Sequence, residues 1–170
     1  SVTWKILHPK KESLGDSDLC RRLLKGIKER YPKKRVKEKD TWDVSRVLTD
    51  LGKIDSKSCT LKELSRKTAT LLALATLWRP RSDLSRIRLE DVKFDEEGNL
   101  ELTATQPKEG DWKETSLSRL EEESLCPVKC VEDYLERTRM MREKSRSVRL
   151  FIKLGKPHGD AQGDTIARWI

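Results

Sequence analysis

The stretch from Cys59 to Phe94, CTLKELSRKTATLLALATLWRPRSDLSRIRLEDVKF, constrains this chain more than any other. Thr60 with Glu63 three residues on has the spacing of a capping box, in which each residue satisfies an orphan backbone N–H of the other. Leu61, Leu64, Ala69, Leu71, Leu72, Ala75 and Thr76 then give a mostly apolar helix, richest towards its C-terminal half. No other window of the chain holds so few charges. A helix that is apolar on several sides must be covered on several sides, which predicts the central helix of a core.

That helix runs into Arg79-Pro80-Arg81-Ser82-Asp83-Leu84. Pro80 fits a break followed by the first turn of a new helix. Arginines set directly after a buried segment are held beside the core rather than waving in solvent. Such placement suits phosphate, because a planar guanidinium offers two parallel hydrogen bonds. The plainer reading is that the arginines pair with Asp83 and Glu90.

Charge decides which partners to consider. The chain holds 37 Lys and Arg against 29 Asp and Glu, a formal +8, and this excess favours a polyanionic partner, most simply nucleic acid. At 170 residues with 35% hydrophobic and 39% charged content, it is long enough for one core but lean for a self-sufficient globule. A partner is expected to cover part of the surface, or the chain to belong to something larger. No apolar run is long enough to span a bilayer, and no secretory-signal pattern appears. No membrane partner, small-molecule substrate or cofactor is expected. Cys20, Cys59, Cys126 and Cys130 form no disulfide-rich pattern. Zinc on Cys126 and Cys130 would need two further ligands, and neither His8 nor His158 lies at a paired spacing. The cysteines read as reduced thiols and no metal site is expected; a zinc module is the least favoured reading.

Along the chain, residues 1–15 read as an irregular lead-in. Asp16 or Ser17 caps a helix through about Tyr31, with Leu19, Leu23, Leu24 and Ile27 on one face and Arg21, Arg22, Lys25 and Lys28 on the remainder. Its basic residues are either an ordinary solvated face or a phosphate-tracking one. Residues 32–40 read as a linker that includes Lys33, Lys34, Arg35 and Lys37. It is a plain solvated tether, a contact to a DNA backbone, or, at Lys34–Lys37, a nuclear import signal. Asp40 or Thr41 caps the next helix, with Trp42, Val44, Val47, Leu48 and Leu51 apolar and Gly52 its terminator. Beyond the arginines, Val92–Phe94, Leu100–Thr105 and Trp112–Leu117 predict a three-stranded antiparallel meander, turning at residues 96–99 and 106–111. Pro127 opens a helix through about Lys144, and Asp164–Ile170 begins another. The expected class is α+β, mainly helical with a small sheet.

The words LSRKTATLLALATLWRPRSDLSRIRLEDVKF, LCRRLLKGIKERYP and TWDVSRVLTDL, with the later Leu150-Phe151-Ile152, resemble the tyrosine recombinases, phage-integrase-like enzymes that break and rejoin DNA. The likeness is to the eukaryotic branch found in DIRS-type and Crypton-type mobile elements. It implies that residues 1–31 end a DNA-clamping domain and that 32–40 link it to the N-terminal part of the catalytic domain in 41–170. It implies double-stranded DNA as partner, other recombinase protomers alongside, and a nuclear location. The chain then reads as the middle of a larger enzyme.

The resemblance also implies roles. One arginine binds the scissile phosphate, and a lysine at the tip of the second hairpin turn protonates the leaving oxygen; Lys108 stands there, with Lys113 the nearby substitute. The family spacing Arg-x-Ser-Asp/Glu sets arginine and acid three apart. Here Arg79 lies four residues before Asp83 and Arg81 two, and only three or four make neighbours on a helix. Arg79 is therefore taken as the phosphate ligand with Asp83 orienting it, and Arg81 as the runner-up. The family's His-x-x-Arg pair is absent, and no tyrosine follows Tyr134. DNA binding without cleavage by this polypeptide alone is the expectation. The alternative is a non-enzymatic helical adaptor whose basic patches meet RNA or acidic proteins.

Overall fold

The computed structural model describes residues 17–31, 43–105 and 112–170. They divide into two units, one ending at Trp42 and the other running from Asp43 to Ile170. The first contributes helix α1 (Asp18–Arg30), which follows the predicted spacing and buries none of its residues within that unit. Asp18 in its first turn and Lys28 and Arg30 in its last complement the helix dipole.

In the second unit α2 (Val44–Gly52) starts later than the sequence suggested. Asp43 is the cap, its Oδ1 accepting from the Ser45 N–H at 2.9 Å; Asp40, Thr41 and Trp42 lie outside the described residues. Gly52 is the last helical residue rather than a stop beyond it. Helix α3 (Leu61–Thr76) has both halves of the expected capping box. The Thr60 N–H reaches Glu63 Oε2 at 2.8 Å, and the Glu63 N–H reaches Thr60 Oγ1 at 3.2 Å. It ends where Leu77 turns left-handed and Thr76 Oγ1 accepts from the Trp78 N–H. Trp78 is thereby folded back into the core.

Helix α3 is central, packed along α4 (Pro127–Ser145), but its buried side is less apolar than expected. Leu64, Ala69, Leu71 and Leu72 are buried together with Ser65, Lys67, Thr68 and Thr70. The hydroxyls bond carbonyls one turn back, as with Thr68 Oγ1 to Leu64 O at 2.8 Å, so they enter the core already satisfied. Lys67 is 1% exposed and donates from Nζ to Ile54 O at 2.5 Å, tying α3 to the loop after α2. Each buried leucine contributes about 1.5–3 kcal/mol through burial, which is why this helix organises the rest.

The meander is present as β1 (Val92–Phe94), β2 (Leu100–Ala104) and β3 (Lys113–Leu117), antiparallel in that order. Gly98, at φ 78°, permits the first turn, and Asp95 Oδ1 accepts from the Asn99 N–H at 2.7 Å. Leu100, Leu102 and Ala104 face the core, and Ala104 is paired across the sheet with Lys113. The expected new helix after Pro80 is not formed. A turn and a single 3-10 turn, Leu84–Arg86, take its place: the Arg79 carbonyl accepts from both the Asp83 and Leu84 N–H groups, which closes the chain into a turn instead of propagating a helix.

At α4, Pro127 occupies the first turn and Cys126 is the cap, its sulfur accepting from the Lys129 N–H. Tyr134, Phe151 and Trp169 pack in series, the first pair tilted and the second edge-to-face, with centroids 5.6 and 6.0 Å apart. The last helix, α5 (Gly163–Ala167), is shorter than predicted and seats against the 3-10 turn. The observed class is α+β, as expected. Among the described residues no helix is long and apolar enough to cross a membrane.

Candidate nucleic-acid interface

The arginine turn follows the C-terminal end of α3, where burial, complete in much of Leu64–Leu72, falls away and returns at Trp78. The Arg79 carbonyl accepts from the Asp83 N–H at 2.9 Å and the Leu84 N–H at 3.2 Å, closing the loop over Pro80. Asp83, fully buried, returns the interaction: its Oδ2 accepts from the Arg79 N–H at 3.1 Å and its Oδ1 from Ser82 Oγ at 2.9 Å. From β3, Lys113 Nζ reaches the same Oδ2 at 2.7 Å. One carboxylate oxygen thus joins the arginine turn to the strand that leaves the second hairpin turn.

Burial is the largest influence on Asp83 and raises its pKa. The bonds from Lys113, Arg79 N–H and Ser82 together outweigh it and hold the carboxyl below its ordinary value. Asp83 therefore orients Arg79 through the main chain and leaves the exposed Arg79 side chain to other contacts. The Lys113 side chain is 29% exposed while its ammonium is anchored on the buried Asp83.

The two arginines of the turn part company. Arg81 Nε pairs with Asp164 Oδ1 of α5 at 2.7 Å. Beneath that pair α5 approaches closely: a Cβ added at Gly163 would stand 2.3 Å from the Arg81 carbonyl oxygen. Arg79, Asp83 and Lys113 are brought together, and Arg81 is drawn towards α5. Lys108 lies outside the described residues, as do Lys33, Lys34, Arg35 and Lys37. On α1, in the other unit, Arg21, Arg22 and Lys25 are exposed; Arg22 pairs with Asp18 at 2.8 Å and Lys25 with Glu29 at 4.0 Å.

Sequence reasoning missed Asp164 as the partner of Arg81, since nothing links positions 83 residues apart except the fold. It also missed Arg142, which is 7% exposed. Its guanidinium donates to Thr138 Oγ1 at 2.9 Å, to Arg149 O at 2.5 Å and to Leu150 O, and lies over the Tyr134 ring. The segment it grips bonds onward to the arginine loop, with the Leu150 N–H on Ile87 O and the Leu89 N–H on Val148 O, both at 2.9 Å. Among the described residues no group of three or more His, Cys, Asp or Glu side chains could hold a metal ion.

Compared with protein-family models and with curated proteins, the chain matches none. Fold and geometry therefore define a class: an α+β protein carrying a basic turn pinned to a three-stranded sheet by a buried carboxylate.

Proposed function

We propose that this chain binds double-stranded DNA as part of the catalytic domain of a tyrosine site-specific recombinase, and that it does not cut DNA by itself. The observation that carries the reading is the shared oxygen of Asp83, which sets the Arg79 turn and Lys113 side by side just after the central helix. In phosphodiester cleavage, charge grows on the phosphoryl oxygens, and cations fixed before the reaction stabilise it without reorganising. Arg79 supplies a guanidinium on a turn closed at both ends. Lys113 is a positioning residue that holds the hairpin strand against that turn.

The nucleophile is the missing part. Tyr134 is fully buried, its hydroxyl oxygen accepts from the Ile152 N–H at 3.2 Å, and burial raises its pKa. It packs the core and meets no phosphate. Tyr31, the other tyrosine, ends α1 in the separate unit. No His-x-x-Arg is present in the 170 residues.

Two measurements test this reading. Incubation with a nicked suicide duplex gives no covalent protein–DNA adduct, and an adduct would sink the claim of inactivity. Duplex binding followed by anisotropy weakens steeply between low and moderate salt, as counterion release requires. Salt-insensitive association would favour an adaptor for acidic proteins instead.

A further inference from the structure

We propose that Arg86, Arg88 and Arg149 form a second phosphate cleft that seats a backbone phosphodiester of the bound nucleic acid strand, an inference that rests on the DNA-binding reading above. The three arginines line one groove of about 540 Å³ together with Thr105, Val148 and Asp160. Arg88 and Arg149 are opposite partners in an isolated antiparallel bridge, so their side chains leave the same face. Arg149 is steadied further by a bond from its guanidinium to Ser85 O at 3.2 Å. Arg86 ends the 3-10 turn three residues after Asp83, and its side chain is exposed.

Three guanidiniums around one groove repel one another unless an anion lies between them. Among the described residues lining the groove Asp160 is the one acid, and a single carboxylate cannot balance three guanidiniums. Its Oδ1 accepts from Ser147 Oγ and, at 3.1 Å each, from the Val148 and Arg149 N–H groups, so its work is to fold the loop. Glu90 pairs with Arg88 at 2.9 Å, but both are about half exposed. An exposed pair of that kind contributes about 0–1 kcal/mol and yields readily to phosphate.

Position selects a polynucleotide over a lone anion. Thr105 directly follows Ala104, whose partner across the sheet is Lys113, so the cleft opens at the sheet end that carries the Asp83–Lys113 pair. A strand held at the arginine turn meets Arg86 next.

The test is anisotropy of a labelled duplex across a salt series. The Arg86→Ala/Arg88→Ala variant is expected to bind about tenfold more weakly and to lose about one from the slope of log K against log salt, as the loss of one phosphate contact requires. Arg86→Lys/Arg88→Lys restores that slope by restoring charge. Thermal melts check folding, and Arg86→Ala alone, losing about half as much of the slope, serves if the double variant melts early. Wild-type affinity and slope in the alanine variants overturn the cleft; if Arg79→Ala still weakens binding, the recombinase reading survives. Weakening by the cleft variants but not by Arg79→Ala leaves the cleft standing and removes the arginine turn. A wild type without salt-dependent duplex binding overturns both.

Discussion

Two anchored cations, Arg142 buried and Lys113 partly exposed, hold this molecule together in different ways. Arg142 is satisfied by a hydroxyl and two main-chain carbonyls, with an aromatic face beside it and no carboxylate hydrogen-bonded to it. Lys113 is satisfied by a buried carboxylate, Asp83, which also accepts from the main chain of the turn it stabilises. The first is a lock made of dipoles. The second is an ion pair placed where a basic turn meets a strand end. Dipoles do not titrate, whereas a carboxylate does, so acid should separate the two. The comparison teaches where chemistry can enter: the titrating contact is the one beside the exposed arginine.

The largest effect is expected from Arg142→Met, which fills similar space but strands the Arg149 and Leu150 carbonyls without donors. Two such acceptors and the lost aromatic contact cost about 3 kcal/mol or more, read as a drop in the urea midpoint. Because arginine stays charged throughout, the loss should be the same from mildly acidic to neutral pH. A loss that varied with pH would mean that a carboxylate, with Asp160 the nearest candidate, carries the lock.

Asp83→Asn should cost less, about 2 kcal/mol at neutral pH, since the amide keeps the shape and some of the hydrogen bonds. Its pH dependence is the sharper readout. The folded pKa of Asp83 is lowered, so its contribution is complete above the unfolded value near 3.8 and is lost as pH falls through the folded one. The gap between wild type and variant should therefore close only below about pH 4. A gap unchanged in acid would show that the carboxylate's charge contributes nothing. Urea titrations at several pH values decide it.

How much of this was legible in sequence differs between the two regions. The capping box at Thr60 and Glu63, the helix it starts and the alternating strand Leu100–Ala104 are local patterns, and local patterns are what periodicity reports. Lys67 broke the pattern because a lysine can be buried once its ammonium finds a carbonyl, and the Ile54 carbonyl is brought there by a loop. The new helix expected after Pro80 failed because the Arg79 carbonyl takes the Leu84 N–H as well as the Asp83 N–H, closing a turn that no local pattern announces. Of the candidate site, position after the apolar helix singled out both arginines; the choice of Arg79 with Asp83, and of Lys113 as substitute for Lys108, came from the family resemblance. Arg142 and Asp164 were invisible. Their partners lie on other elements, and nothing in their neighbours along the chain marks them.

The smallest effect concerns the two arginines of the turn and decides their register. Arg81 and Asp164 form an exposed pair, with side chains 72% and 62% accessible, and such a pair adds little to stability in water. Arg81→Ala should leave the melting temperature unchanged within error. Its charge faces Asp164, so much of its pull on a phosphate is already neutralised, and the salt slope of duplex binding should fall by less than half a unit. Arg79→Ala removes a guanidinium whose main chain is anchored on the Asp83 carboxylate, and the slope should fall by about one. Should the order reverse, with Arg81→Ala the more damaging, Asp164 would be the orienting acid. Asp83 would then be a structural anchor for the hairpin, and the contrast between lock and ion pair would move from Lys113 to α5.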